Sequence, residues 1–190
     1  MRLVLATRNG HKLRELGRML DGLELEPLPE HVELPPEDGA TFAANALGKA
    51  RAAAAALGRP VIADDSGIEA DALGGAPGIY SARFAGAGAS DADNLALLLE
   101  RAPAGSGLRY VCVVAYAAPG GGERTFEGTC SGTLAVAPRG SGGFGYDPAF
   151  LPDDDPGART MAELSDAEKD AISHRGCAAR LLLAWLGERS

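Results

Sequence analysis

Apolar positions fall in two rhythms along the chain. Leu3-Val4-Leu5-Ala6 reads as a short buried strand, and after the polar stretch Thr7-Arg8-Asn9-Gly10-His11-Lys12 the residues Leu13, Leu16 and Leu20 fall at helical spacing. Gly22 stops that helix, and Leu23-Glu24-Leu25-Glu26 alternates like a strand until Pro27 and Pro29 break it. An acidic loop from Glu33 to Gly39 follows. Thr41 is placed to cap an Ala-rich helix reaching Leu57, closed by Gly58 and Pro60. Val61-Ile62-Ala63 predicts the next strand, which delivers Asp64 and Asp65 into a turn at Ser66-Gly67.

Beyond a glycine-rich loop from Gly74 to Arg83, Ser90 caps a helix with Leu95, Leu98 and Leu99 on its apolar side. Tyr110 to Ala118 and Arg124 to Ala137 are strand-like, with Gly120-Gly121-Gly122 as the hairpin between them. Gly140 to Pro148 is another loop. Ser165-Asp166-Ala167-Glu168 is a capping box opening a last helical region that runs to about Leu186. Helices alternate with strands early and strands cluster in the middle. This predicts a mixed α/β fold, one domain over residues 1–190 with two lobes and no separable linker.

Composition narrows the function. A 46% hydrophobic fraction is ample for a core. The net charge of −8 argues against nucleic acid or an anionic membrane as the main partner, while leaving room for a small phosphorylated ligand held by a few placed cations and a metal. No apolar run approaches the roughly 20 residues of a membrane span, and the first residues are too short for a signal peptide. Cys112, Cys130 and Cys177 form no zinc spacing, which fits thiols in a reducing cytoplasm.

The candidate chemistry lies in loops. A strand, a glycine-containing loop and a helix N-terminus make a phosphate-binding arrangement, and Thr7, Asn9 and Lys12 add a hydroxyl, an amide and an ammonium. The stretch matches neither a P-loop nor a dinucleotide fingerprint. Asp64 and Asp65 point to opposite faces if the strand is regular, so one of them, Asp65 for preference, is the metal ligand. Glu33, Glu37 and Asp38 are within reach on the Pro-rich loop. Hard oxygen ligands without a His/Cys cluster favour Mg2+. Phe144-Gly145-Tyr146-Asp147 offers aromatic faces and an acceptor for a base. Lys169, Ser173, His174 and Arg175 lie on the last helical region, where a break near His174 would turn His174 and Arg175 together toward a ligand.

Six segments in order resemble the inosine triphosphate pyrophosphatase family (Ham1/RdgB-like). They are Leu5 to Lys12, Thr41 to Ala50, Ala63 to Gly67, Gly74 to Arg83, Gly142 to Pro148, and Lys169 with Ile172 to Gly176. The resemblance implies an elongated mixed sheet with flanking helices and two lobes around a central cleft. It also implies a homodimer and Mg2+-dependent hydrolysis of ITP, dITP and XTP to the monophosphate and pyrophosphate. Carried over by position, Thr7, Arg8, Asn9, Gly10, His11 and Lys12 would cradle phosphates. Asp65 would be base and metal ligand, with Glu37 as the second metal carboxylate. Ser66, Phe144, Gly145, Tyr146, Asp147, Lys169, His174 and Arg175 would contact substrate. His174 and Arg175 are expected to donate to the C6 oxygen that distinguishes hypoxanthine from adenine. The rival readings are a Maf-like pyrophosphatase of other base preference and a non-catalytic nucleotide-binding module.

Overall fold

The structure, a computed structural model, describes residues 2–188. Its elements are β1 (Arg2–Leu5), α1 (Gly10–Met19), β2 (Glu24–Pro27), α2 (Phe42–Leu57), β3 (Val61–Ala70), α3 (Asp91–Arg101), β4 (Gly107–Ala117), β5 (Glu123–Leu134), β6 (Phe150–Pro152), α4 (Asp166–Ile172) and α5 (His174–Gly187). The strands form one six-stranded sheet in the order β2-β1-β3-β4-β5-β6. β1 runs parallel to both β2 and β3, whereas β6 is antiparallel to β5, so the sheet is mixed.

Local signals set the helix ends. The Thr41 hydroxyl accepts from the Ala44 amide, and Gly58 closes α2 at φ 63, a left-handed conformation that glycine takes without strain. Ser90 and Asp93 form a reciprocal capping box on α3, and Ser165 and Glu168 do the same on α4.

The chain divides into two compact units. The first comprises residues 1–65, 112–128 and 175–190, and the second residues 66–111 and 129–174. Each has its own apolar core. In the first, Leu3, Leu5, Leu16, Leu20, Ile62, Val114 and Leu182 pack with Cys112. In the second, Ile68, Leu98, Leu134, Phe150 and Met161 pack with Cys130. Cys177 is half-buried. Among the described residues no helix is long and apolar enough to cross a membrane.

Two expectations change, and one strand is added. β3 does not end at Ala63: it runs on to Ala70 with Asp64, Asp65 and Gly67 buried in mid-strand. The polar doublet resembled the start of a turn, but cations from neighbouring helices satisfy it inside the protein, so the strand has no reason to stop. β5 ends at Leu134, earlier than the pattern predicts, and Val136 beyond it is 90% exposed. The short strand β6 lies just beyond the loop from Gly140 to Pro148, in a stretch to which the pattern assigns no element. It adds an edge because Leu151 and Phe150 pair with Thr133 and Leu134. The last helical region is broken as the spacing allowed: Ser173 is extended between α4 and α5.

Candidate active site

In a regular strand Asp64 and Asp65 face opposite sides, and each side meets a different helix. On the Asp64 side, Lys12 in the first turn of α1 places Nζ 2.9 Å from Oδ2 of Asp64. Arg175, 2% exposed near the start of α5, has Nη2 3.8 Å from the same oxygen, and its Nη1 donates to the carboxylate of Glu15 on α1. Burial alone would raise the pKa of Asp64, but Lys12, Arg175 and Lys49 outweigh it and hold the carboxyl below the usual range. Asp64 is therefore a fixed negative charge. Cys112 lies in the same surroundings, and burial together with the charge of Asp64 pushes its thiol up to about 12, so it stays neutral.

The Asp65 side is built by α2. Asn45 and Lys49 are four residues apart and share a face. Asn45 Nδ2 donates to Oδ2 of Asp65 at 2.9 Å, while its Oδ1 accepts from the Gly39 amide at 2.8 Å. A Cβ on Gly39 would sit 2.7 Å from that Oδ1, so the close approach requires glycine. Lys49 Nζ donates to the Asp64 carbonyl at 2.6 Å and to the Glu37 carboxylate. Burial raises the pKa of Asp65, and the charges of Lys49 and Lys12 with the Asn45 hydrogen bond offset it only in part; Glu37 pushes it further up. Two successive carboxylates on one strand are thus driven in opposite directions, the arrangement that separates a charge holder from a proton acceptor. Burial would lower the pKa of Lys49, yet Asp64 and Glu37 prevail and keep it an ammonium.

Among the described residues no group of three or more His, Cys, Asp or Glu side chains is arranged as a metal cage. The donor set suits a different kind of ion. Glu37 and Asp65 are hard carboxylates gathered around one ammonium, while the Asp64 side chain faces Lys12 and Arg175. Mg2+ binds through one or two protein carboxylates, with water and substrate phosphate completing its shell. Glu37 and Asp65 fit that requirement.

The β1–α1 loop is held by its own side chains. Thr7 Oγ1 accepts from the Asn9 amide at 3.1 Å, and Asn9 Oδ1 accepts from the amides of His11 and Lys12 at 2.8 and 3.2 Å, capping α1. His11 Nδ1 lies 3.0 Å from an Arg14 nitrogen. Arg8 turns its guanidinium onto backbone carbonyls of residues 28–32.

The second unit carries its own buried charge pair. Asp147 and Lys169 meet at 2.7 Å, each side chain 4% exposed. The same carboxylate accepts from Tyr110 Oη at 3.0 Å and from the Phe144 amide at 2.9 Å. Gly143 sits at φ 68, and a Cβ there would stand 2.1 Å from Oδ2 of Asp147 and 2.9 Å from Nζ of Lys169. Lys169 Nζ lies 5.5 Å from the centre of the half-buried Phe144 ring. Tyr146 Oη donates to the Ser81 carbonyl at 2.7 Å, and the Gly145 amide donates to Asp91 at 2.9 Å. His174 stacks on Tyr110, ring centres 4.5 Å apart.

Known proteins match this chain over almost its whole length. A model of the Ham1 family matches residues 3–185. The chain belongs to the Ham1 family. It is 48% identical to a dITP/XTP pyrophosphatase of Geobacter sulfurreducens, over 98% of both chains. It is 50% identical to a dITP/XTP pyrophosphatase of Frankia alni, over 99% of this chain and 98% of that one. The structure of the Staphylococcus aureus Ham1 protein superposes with a TM-score of 0.87 at 38% identity, covering 100% of each.

Within this family member, the residues singled out from the sequence separate by unit. Lys12, Glu37 and Asp65 come together in the first, and Phe144, Tyr146, Asp147, Lys169 and His174 in the second, where Ser66 follows Asp65 along β3. His174 stacks on Tyr110, whereas Arg175 is directed at Glu15 and Asp64. Asp147 is surrounded by three donors from this chain. Glu15 was missed: between Arg14 and Leu16 it looks like one more surface charge on an amphipathic helix. Asn45 and Lys49 carried a readable signal, two polar residues on the same face as the buried Ala46, Ala50 and Ala53.

Proposed function

We propose that the protein is a nucleoside triphosphate pyrophosphatase that hydrolyses dITP, XTP and ITP to the monophosphate and pyrophosphate with Mg2+. The observation that carries this reading is Asp65 held by Asn45 beside the Lys49–Glu37 pair, in a chain about half identical to proteins named for that reaction. The resemblance extends the reading to a cytoplasmic homodimer.

In this mechanism a water attacks the α-phosphorus and Asp65 accepts its proton, while the bond to the bridging oxygen breaks and pyrophosphate departs. Lys12 and Lys49, both ammoniums bordering the two aspartates, offset the charge that builds on the phosphate oxygens. Asn45 fixes the Asp65 carboxylate so that one oxygen stays aimed while the other accepts the amide hydrogen bond. A bound Mg2+, held by Asp65 and Glu37, would neutralise phosphate charge and orient the chain of phosphates.

Base reading falls to the second unit. The Phe144 ring supplies a stacking face, with Asp147 and Lys169 fixing the loop that carries it. His174 remains the candidate donor to the C6 oxygen; Arg175 does not, since its guanidinium is directed at two carboxylates. A donor aimed at that oxygen faces an amino group in adenine, a mismatch worth about 1–3 kcal/mol. Purified protein incubated with dITP, XTP, ITP, GTP and ATP, and scored separately for pyrophosphate and orthophosphate, tests the reading. Orthophosphate as the first product, or no turnover of any of them, overturns it.

A further inference from the structure

Arg8 was expected among the phosphate-binding residues, yet its side chain is occupied elsewhere. Nη1 donates to the Leu28 carbonyl at 2.8 Å, and Nη2 lies 2.8 Å from the carbonyls of Pro29 and Val32 and 3.2 Å from that of Glu30. One guanidinium thereby gathers four carbonyls from a segment that has neither helix nor strand between β2 and α2. The fork of donors suits this, because backbone carbonyls converging on one point need a planar cation with several N–H groups.

The gathered turn leads directly to Glu37. From Val32 the chain passes through Glu33, Leu34, Pro35 and Pro36, and each proline fixes its own φ near −65°. Beyond Glu37, the Gly39 amide is pinned by Asn45, the residue that also orients Asp65. Glu37 is therefore bracketed by a clamp on each side, with a short, stiff connection to the one that Arg8 makes. Arg8 in turn lies between Thr7 and Asn9, in the loop read above as the phosphate cradle.

We infer that Arg8 is a positioning residue: it holds the acidic loop so that the Glu37 carboxylate stands ready beside Asp65 and Lys49 for a divalent cation. The loop that meets phosphate thus also sets the loop that meets the metal. This rests on the proposed function for its catalytic meaning, but the clamp itself is testable without turnover.

The test compares wild type with R8A and R8K. Amide hydrogen exchange is followed across residues 30–39, with β1 as the internal reference. Mg2+ binding is measured by calorimetry in the absence of nucleotide, and dITP hydrolysis is titrated separately with Mg2+ and with nucleotide. R8A is expected to speed exchange at Val32 to Glu37 while β1 stays protected. It should weaken Mg2+ binding and raise the Mg2+ needed for half-maximal rate by about tenfold or more, the usual effect of losing an outer-shell support. The dITP KM at saturating Mg2+ should move by less than about twofold. R8K, which keeps the charge but not the fork, should behave like R8A; it serves as the deciding variant if R8A does not fold. Unchanged exchange in the loop overturns the inference. So does a raised dITP KM with an unchanged Mg2+ requirement, which would make Arg8 a direct phosphate ligand. If wild type turns over no nucleotide, the proposed function fails, while exchange and calorimetry still decide whether Arg8 holds the loop.

Discussion

The two units each bury an aspartate against cations, and they do it differently. In the second, Asp147 is surrounded by Lys169, the Tyr110 hydroxyl and the Phe144 amide, so one charge pair is completed by two neutral donors. In the first, Asp64, Asp65, Glu37 and Glu15 are interleaved with Lys12, Lys49 and Arg175, charge against charge across several elements. Around Asp147 the network fixes the loop that carries Phe144, which in the proposed function would meet the base. The first unit's network keeps ammoniums and carboxylates together, the charges that the proposed function would redistribute around a metal and a polyanion.

The comparison breaks most sharply at Asp65. Asp65→Asn preserves the Asn45 contact region but removes the charge and the proton acceptor. We expect kcat with dITP to fall by about 10²–10⁴-fold with the urea midpoint close to wild type. Retention of more than about a tenth of the rate would take Asp65 out of the reaction. Lys169→Met strikes the other network. It strands Asp147 in a site where the pair is only 4% exposed, and a loss of about 3–5 kcal/mol in unfolding free energy is expected by denaturant titration. A loss below about 1 kcal/mol would mean that Asp147 finds other solvation.

Two substitutions sharpen the division of labour. Phe144→Ala should cost about 1–3 kcal/mol of nucleotide binding, the value of one base stacked on an aromatic ring, read as a raised KM for dITP and XTP alike. Arg175→Met should lower stability and turnover together while leaving the dITP-to-dATP ratio of kcat/KM within about twofold. A tenfold collapse of that ratio would return Arg175 to base recognition.

The smallest effect belongs to a surface cap. Hydrogen bonds from the Ser165 hydroxyl and amide, together with Arg159, lower the pKa of Glu168 to about 2 from an ordinary 4.5. A lowered folded-state pKa contributes stability above pH 4.5 that is lost as pH falls toward 2. Glu168→Gln should therefore have a slightly lower Tm than wild type at pH 6, and the gap should narrow by pH 3. A gap that is constant with pH would assign the effect to shape rather than charge.

What the sequence revealed follows the range of the interactions. The capping box at Ser165 and Glu168 and the caps at Thr41 and Gly58 act within a few residues, and all appear where the pattern placed them. The continuation of β3 through Asp64 and Asp65 was hidden because the partners that make those residues tolerable in a strand come from α1, α2 and α5. Glu15 and Arg175 are 160 positions apart, and no periodicity on either helix marks the pair. The short β6 has too few residues to show a rhythm of its own.

The three-segment make-up of the first unit also orders events on the ribosome. Its core includes Ala178, Ala179, Leu182 and Leu186, and its charge network includes Arg175, all in the segment that follows the second unit along the chain. The second unit is complete once residue 174 has emerged. The first unit therefore cannot complete its core around Leu3, Leu5 and Ile62, nor give Asp64 its arginine, before α5 has been made.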